Sequence, residues 1–218
     1  MLKADSKFNN SASAEYGFLR RRYLNSYFLR DRIIKLLFSL IFALMMWISA
    51  SSFIYLPFTP VPLTMQVFTV LMSAIFLGKN WALFSQVIYV IMGIYGLPVF
   101  AGFKSGFTAL AGPTGGYIAG FIIASFAAGY LYEKADSGKN RIPERLIIFI
   151  SCIAGLLIIY STGFLHLAFY LYGLDPATGL QAKALTALNL GVMPFIIFDL
   201  LKITLILAIV RIPGFKKT

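Results

Sequence analysis

Long apolar stretches limit what this chain can become. Six of them recur along its 218 residues, at roughly 33–54, 63–78, 81–97, 116–132, 146–172 and 192–210. A helix needs about 20 apolar residues to cross about 30 Å of hydrocarbon, because each residue advances it about 1.5 Å. The first, fifth and sixth runs meet that length. The others are somewhat shorter, and between the second and third Gly78-Lys79-Asn80 reads as a tight turn. Composition agrees: 59% of the residues are hydrophobic and 12% charged, against about 45–50% and about 25% in soluble domains. The mean hydropathy is +0.82. Both a soluble globular fold and a disordered chain are excluded, and an all-α integral membrane protein is expected.

The net charge is +11, from 19 Lys and Arg against 8 Asp and Glu. With the N-terminus in the cytoplasm, six spans place sixteen basic residues inside. These are Lys3, Lys7, Arg20, Arg21, Arg22, Arg30, Arg32, Lys35, Lys79, Lys134, Lys139, Arg141, Arg145, Arg211, Lys216 and Lys217. Only Lys104 and Lys183 fall outside, and Lys202 lies within the last span. That division follows the positive-inside rule and predicts six transmembrane helices with both termini cytoplasmic. The charge therefore reports topology, and no nucleic-acid partner is needed to explain it. Residues 1–32 read as a basic cytoplasmic arm that touches anionic membrane lipid, and residues 33–218 as the six-helix membrane domain. A cleaved signal peptide is not expected, because the charged segment and the first apolar run both exceed the usual lengths. The loop at 133–145 reads as cytoplasmic. Residues 175–191 open with Asp-Pro and read as a short helix at the outer interface.

Two outward connections are unusual. Tyr55 to Thr64 holds Pro57, Pro60 and Pro62, which exclude a regular helix and give a stiff, apolar segment. It is either a lid over a cavity or a loop packed on the bundle. Gly96 to Gly116 carries six glycines in 21 residues. Irregular backbone at membrane depth survives only when buried in protein or lining a cavity. Its last residues, Gly112-Pro113-Thr114-Gly115-Gly116, lead into the fourth span and offer either free N–H groups to an anion or a closely packed helix entry.

The strongest chemical signal is Asp199-Leu200-Leu201-Lys202, near the middle of the sixth span. The two charges are three residues apart and share one helix face. Ionisable groups at that depth cost about 2.5–3.5 kcal/mol each and normally face a cavity or the bundle interior. They make a structural ion pair, a polar ligand site or part of a proton relay. As a ligand site, the carboxylate accepts N–H donors and the ammonium donates to a carbonyl, which suits a urea or amide. Gln66, Gln86 and Tyr89 are further polar groups in apolar context, lining a cavity or joining helices. His166 reads as a hydrogen-bonded core histidine. Cys152 is the only cysteine, which excludes an intramolecular disulfide, and one histidine excludes a multi-histidine metal site. No phosphate-binding G-x-x-x-x-G-K-[ST] occurs, and no nucleophile–base pair points to an enzyme.

Four motifs occur in order: Thr59-Pro60-Val61-Pro62-Leu63-Thr64-Met65-Gln66, Gly96-Leu97-Pro98-Val99-Phe100-Ala101-Gly102, Gly112-Pro113-Thr114-Gly115-Gly116-Tyr117, and Asp199-x-x-Lys202. On these, over about residues 33–211, the chain resembles the BioY family, the biotin-specific substrate-binding (S) component of energy-coupling factor transporters. The resemblance implies a multi-pass protein of the bacterial cell membrane. It implies a biotin site that opens outward under the two loops, with Asp199 and Lys202 on the biotin head group. A biotin ureido ring fits that pair, and its apolar body would meet Phe100, Phe103, Tyr89 and Tyr117, with Gln66 nearby. Its carboxylate would meet Lys104 or the amides of Gly115 and Gly116. The resemblance also implies no cofactor, and as partners a coupling transmembrane protein and two separate ATPase subunits. Small residues of the first span, Ser39, Ala43 and Ala50, would face the coupling protein. The rival readings are an S component for another small vitamin and a membrane scaffold in which Asp199 and Lys202 are only an ion pair.

Overall fold

The computed structural model describes residues 31–136 and 143–210. Most of the expected arm, the segment 137–142 of the cytoplasmic loop and the basic end from Arg211 lie outside the described residues. The chain divides into two units, residues 1–38 and 39–218. In the described part of the first, Lys35 pairs with Asp31 at 2.8 Å, one helical turn away. All that follows concerns the second unit, apart from the opening turns of the first helix.

Eight helices and one small hairpin make up the described residues. Helix α1 runs Asp31–Ser51. Two short strands follow, β1 (Phe53–Ile54) and β2 (Leu63–Thr64), then α2 (Gln66–Leu77), α3 (Lys79–Ile94), α4 (Gly106–Ala111), α5 (Gly115–Asp136) and α6 (Glu144–Leu174). A single 3-10 turn at Pro176–Thr178 leads to α7 (Leu180–Gly191) and α8 (Ile196–Ile209). The fold is helical, as the sequence predicts, with one departure. Ser51 and Ser52 donate to the carbonyls of Trp47 and Ile48 at the end of α1, and the chain then turns into a strand. Phe53 pairs with Thr64 and Ile54 with Leu63, antiparallel. The proline-rich segment is therefore the tip of a hairpin, and the first helix ends earlier than the apolar run suggests.

Helices α1, α5 and α6 are long and apolar enough to cross a membrane, and α7 with α8 makes a bent pair that qualifies together. Helix α2 has only 12 residues, about 18 Å of rise, yet nine of them are buried. A helix enclosed on all sides by protein is hydrophobic all round and need not match the lipid. That explains a short apolar run which would be insecure as a lipid-facing span. Helices α7 and α8 meet at 45°, and α7 packs along α6. Residues 180–191 thus form the short helix that the sequence reading expects, packed on α6 and joined to α8 at this bend.

The α5–α6 seam is tight because small residues let the backbones approach. A Cβ on Gly163 would meet the Tyr117 ring, and one on Gly120 would meet Thr162 and Ile159. On α1, Ser39, Ala43 and Ala50 are fully buried, and Ser39 donates to the Trp81 carbonyl of α3 at 3.1 Å. These small residues are spent on packing inside the chain, so the sequence-based expectation that they present a face to a partner is corrected.

The turn between α2 and α3 is shorter than the sequence reading has it. Gly78 alone connects the helices, at φ +76°, and Lys79 and Asn80 already belong to α3. The Glu133 carboxylate of α5 accepts from the Lys79 amide at 3.0 Å and fills the space where a Gly78 Cβ would sit. Gly78→Ala therefore meets both a left-handed backbone and an occupied volume, a strain of about 1–3 kcal/mol. Thermal unfolding in detergent is expected to show a clearly lowered midpoint for Gly78→Ala. Gly173→Ala, in open space within α6, serves as the control and should be neutral or slightly stabilising.

Candidate functional site

The chain breaks between α7 and α8 at residues 192–195, and α8 restarts with Asp199 in its first turn. A carboxylate there is favoured by the positive end of the helix dipole. Lys202 follows one turn later. Both side chains are buried, Asp199 at 2% exposure and Lys202 at 7%. The Lys202 ammonium donates to Asp199 Oδ1 at 2.6 Å and to the Thr64 carbonyl of β2, also at 2.6 Å. The Tyr160 hydroxyl of α6 donates to the other carboxylate oxygen, Oδ2, at 2.6 Å. Both charges are thus fully compensated in an apolar bundle, which burial demands.

These groups stand at the wall of a cleft that leaves about 580 Å³ free of protein atoms, its open mouth included. Leu63 and Thr64 of the hairpin, Gln66 and Val67 of α2, Ala101, Thr114, and Tyr117, Ile118 and Phe121 of α5 line it with Tyr160, Asp199 and Lys202. Most of the wall is apolar, with the polar groups converging at one end, as in sites that orient small ligands.

Of the residues singled out in the sequence, Asp199, Lys202, Gln66 and Tyr117 meet around this cleft. Tyr117 also donates to the Gly191 carbonyl at 2.8 Å, satisfying a carbonyl freed where α7 ends. Tyr89 stands behind Gln66 as its support. It accepts from Gln66 Nε2 at 2.8 Å and donates to the Val99 carbonyl at 3.1 Å. Phe100 packs edge-on against Tyr89, with centroids 5.6 Å apart, and lies in the core. Lys104 is exposed and pairs through its backbone with Phe100 in a tight turn. Phe103, 60% exposed, packs on Phe53 instead of the cleft. Gly115 and Gly116 start α5 under close packing from Leu110, Thr162 and His166, and the Gly115 amide is engaged by the Gly112 carbonyl. His166 Nε2 lies 2.8 Å from that same carbonyl, the structural role expected of it.

The proline hairpin and the glycine-rich loop both contribute to the cleft wall and touch each other. Thr59 donates to the Leu190 carbonyl at 2.7 Å, tying the hairpin tip to the end of α7. Tyr55 of the hairpin sits against Gly102, where a side chain would collide with its hydroxyl. Sequence reasoning missed Tyr160, the Thr64 carbonyl and helix α4. A tyrosine within a 27-residue apolar run signals only that its hydroxyl wants a partner; which helix supplies one is a matter of packing.

An apolar helical bundle around a buried, hydrogen-bonded carboxylate–ammonium pair defines a multi-pass membrane protein with a polar-headed ligand cleft. Comparison with known proteins narrows this. Residues 21–216 match the sequence profile of the BioY family. The biotin transporter BioY of Thermotoga maritima is 40% identical over 156 residues, 72% of this chain and 82% of that protein. The biotin transporter BioY2 of Lactococcus lactis is 30% identical over 161 residues, 72% of this chain and 80% of its own length. A crystal structure titled as the S-component for biotin from an ECF-type ABC transporter superposes with a TM-score of 0.65. It shares 22% identity and covers 85% of this chain and 95% of its own. The chain belongs to the BioY family, in the cell membrane.

Replacing Tyr89 by Phe removes the hydroxyl that serves both Gln66 and the Val99 carbonyl. Two buried polar groups then lose a partner, a cost of about 1–3 kcal/mol. The expected result is a lower unfolding midpoint in detergent, and an unchanged midpoint would show that Gln66 is held by other means.

Proposed function

We propose that this chain is the biotin-binding S component of an ATP-driven vitamin importer. It captures biotin from outside and releases it inward after docking on an energising module. The observation that carries the reading is the Asp199–Lys202 pair, buried at the polar end of an otherwise apolar cleft in a BioY-family chain. Biotin has matching chemistry. Its ureido N–H groups face the carboxylate, its ureido carbonyl takes the third ammonium proton, and its ring and aliphatic chain lie along the apolar wall beside Tyr117 and Phe121. Gln66, backed by Tyr89, adds an amide beside the same end, and Phe100 shapes the loop from behind. We assign the biotin carboxylate to Lys104, an exposed cation of the glycine-rich loop that also contributes Ala101 to the cleft wall. The amides of Gly115 and Gly116 are the weaker choice, because close packing surrounds both glycines.

The membrane topology we propose has six spans, α1, α2, α3, α5, α6 and α8, with α7 at the outer interface and both ends cytoplasmic. The division of sixteen inner to two outer basic residues supports it. The burial of α2 removes the objection that it is short. The chain itself is no enzyme in this reading. A coupling transmembrane protein and two ATPase subunits supply the energy, and the surface that meets them is other than the inward-facing Ser39, Ala43 and Ala50.

Biotin titration of the purified chain tests this. Asp199→Asn and Lys202→Ala should each weaken binding by more than about a hundredfold, as expected when a charged hydrogen-bond partner is lost from a dry site. Either single change strands a buried charge or polar group and lowers stability. The double variant Asp199→Asn/Lys202→Met removes the charges together and should unfold near the wild-type midpoint while still failing to bind. Biotin binding that survives in the double variant would mark the pair as structural cement, and a wild-type chain that ignores micromolar biotin would point to another vitamin.

A further inference from the structure

We propose that Tyr160 is the positioning residue of the cleft: its hydroxyl fixes the plane in which the Asp199 carboxylate meets the ligand's polar head. The inference rests on the reading of the cleft as the biotin site. A carboxylate turns easily about its terminal bond, for which rotamer preferences are broad. Here each oxygen is gripped by a different donor, Oδ1 by Lys202 at 2.6 Å and Oδ2 by Tyr160 at 2.6 Å. Lys202 alone cannot set the orientation. It sits on the same helix as Asp199, on a flexible stem, and divides its protons between Asp199 and the Thr64 carbonyl. Tyr160 comes from another helix, 39 residues away in sequence, on a short, stiff side chain.

A tyrosine hydroxyl has one proton, and this one is spent on Asp199. Tyr160 therefore acts through the carboxylate. With one donor on each oxygen, both oxygens keep a lone pair for a ligand N–H, and the ring of Tyr160 is itself part of the cleft wall. The neighbouring wall residues Ile159 and Phe121 have no polar side-chain atoms to take over the task, and the Tyr117 hydroxyl donates to the Gly191 carbonyl.

Tyr160→Phe in the full chain keeps the ring and removes the hydroxyl. Biotin and desthiobiotin share the ureido ring and differ in the sulfur-bearing ring. Both should bind at least about tenfold more weakly, by the same factor, as the loss of a charge-assisted hydrogen bond to the shared head requires. Wild-type binding with unchanged affinity in Tyr160→Phe overturns the inference and leaves the biotin reading standing. A wild-type chain that does not bind biotin overturns both. Should the variant also unfold earlier, the two losses are compared. Equal factors support the positioning role, and a loss confined to the bulkier biotin means a collapsed cleft and overturns it.

Discussion

A carboxylate and an ammonium ion inside an apolar bundle cannot be left to themselves, and the architecture around Asp199 and Lys202 answers that demand. Burial at 2% and 7% exposure leaves the pair little contact with solvent, so its lone pairs and protons must be met by protein or ligand. Three separate elements supply partners. Helix α6 gives the Tyr160 hydroxyl, the hairpin gives the Thr64 carbonyl, and α8 carries the two charges one turn apart. The broken helix pair α7–α8 makes this geometry available, because the restart of α8 places Asp199 in a first turn.

The same bonds tie the cleft to its cover. Thr64 presents its carbonyl to Lys202, while its side chain bonds the Gln66 amide group, which reaches Tyr89 and, through it, the Val99 carbonyl of the glycine-rich loop. A continuous set of contacts thus runs from Tyr160 through the ion pair to both the hairpin and the glycine-rich loop.

Much of this was legible in the amino acids, for physical reasons that differ from residue to residue. Asp199 and Lys202 announce themselves because charges in an apolar run need a cause. The long runs of α1, α5 and α6 follow from length and hydropathy. The proline segment reads correctly as stiff and non-helical, but strand pairing across it depends on Phe53 and Thr64 meeting, which no local pattern records. Tyr160 and the Thr64 carbonyl were not legible, since a backbone carbonyl carries no sequence signal and tyrosines abound here. Phe100, Lys104, Gly115 and Gly116 were chosen for chemistry and loop position. Packing set Phe100 and the two glycines into the core around Tyr89 and His166, and left Lys104 in the open.

The central claim is that the buried pair exists to hold a ligand and not merely to join helices. A structure of the full chain with biotin bound tests it most directly. The account predicts the ureido ring within hydrogen-bond reach of Asp199 and Lys202, with Tyr160 still on the carboxylate. Biotin seated elsewhere, with the Lys202 contacts to Asp199 and Thr64 closed against it, would contradict the account.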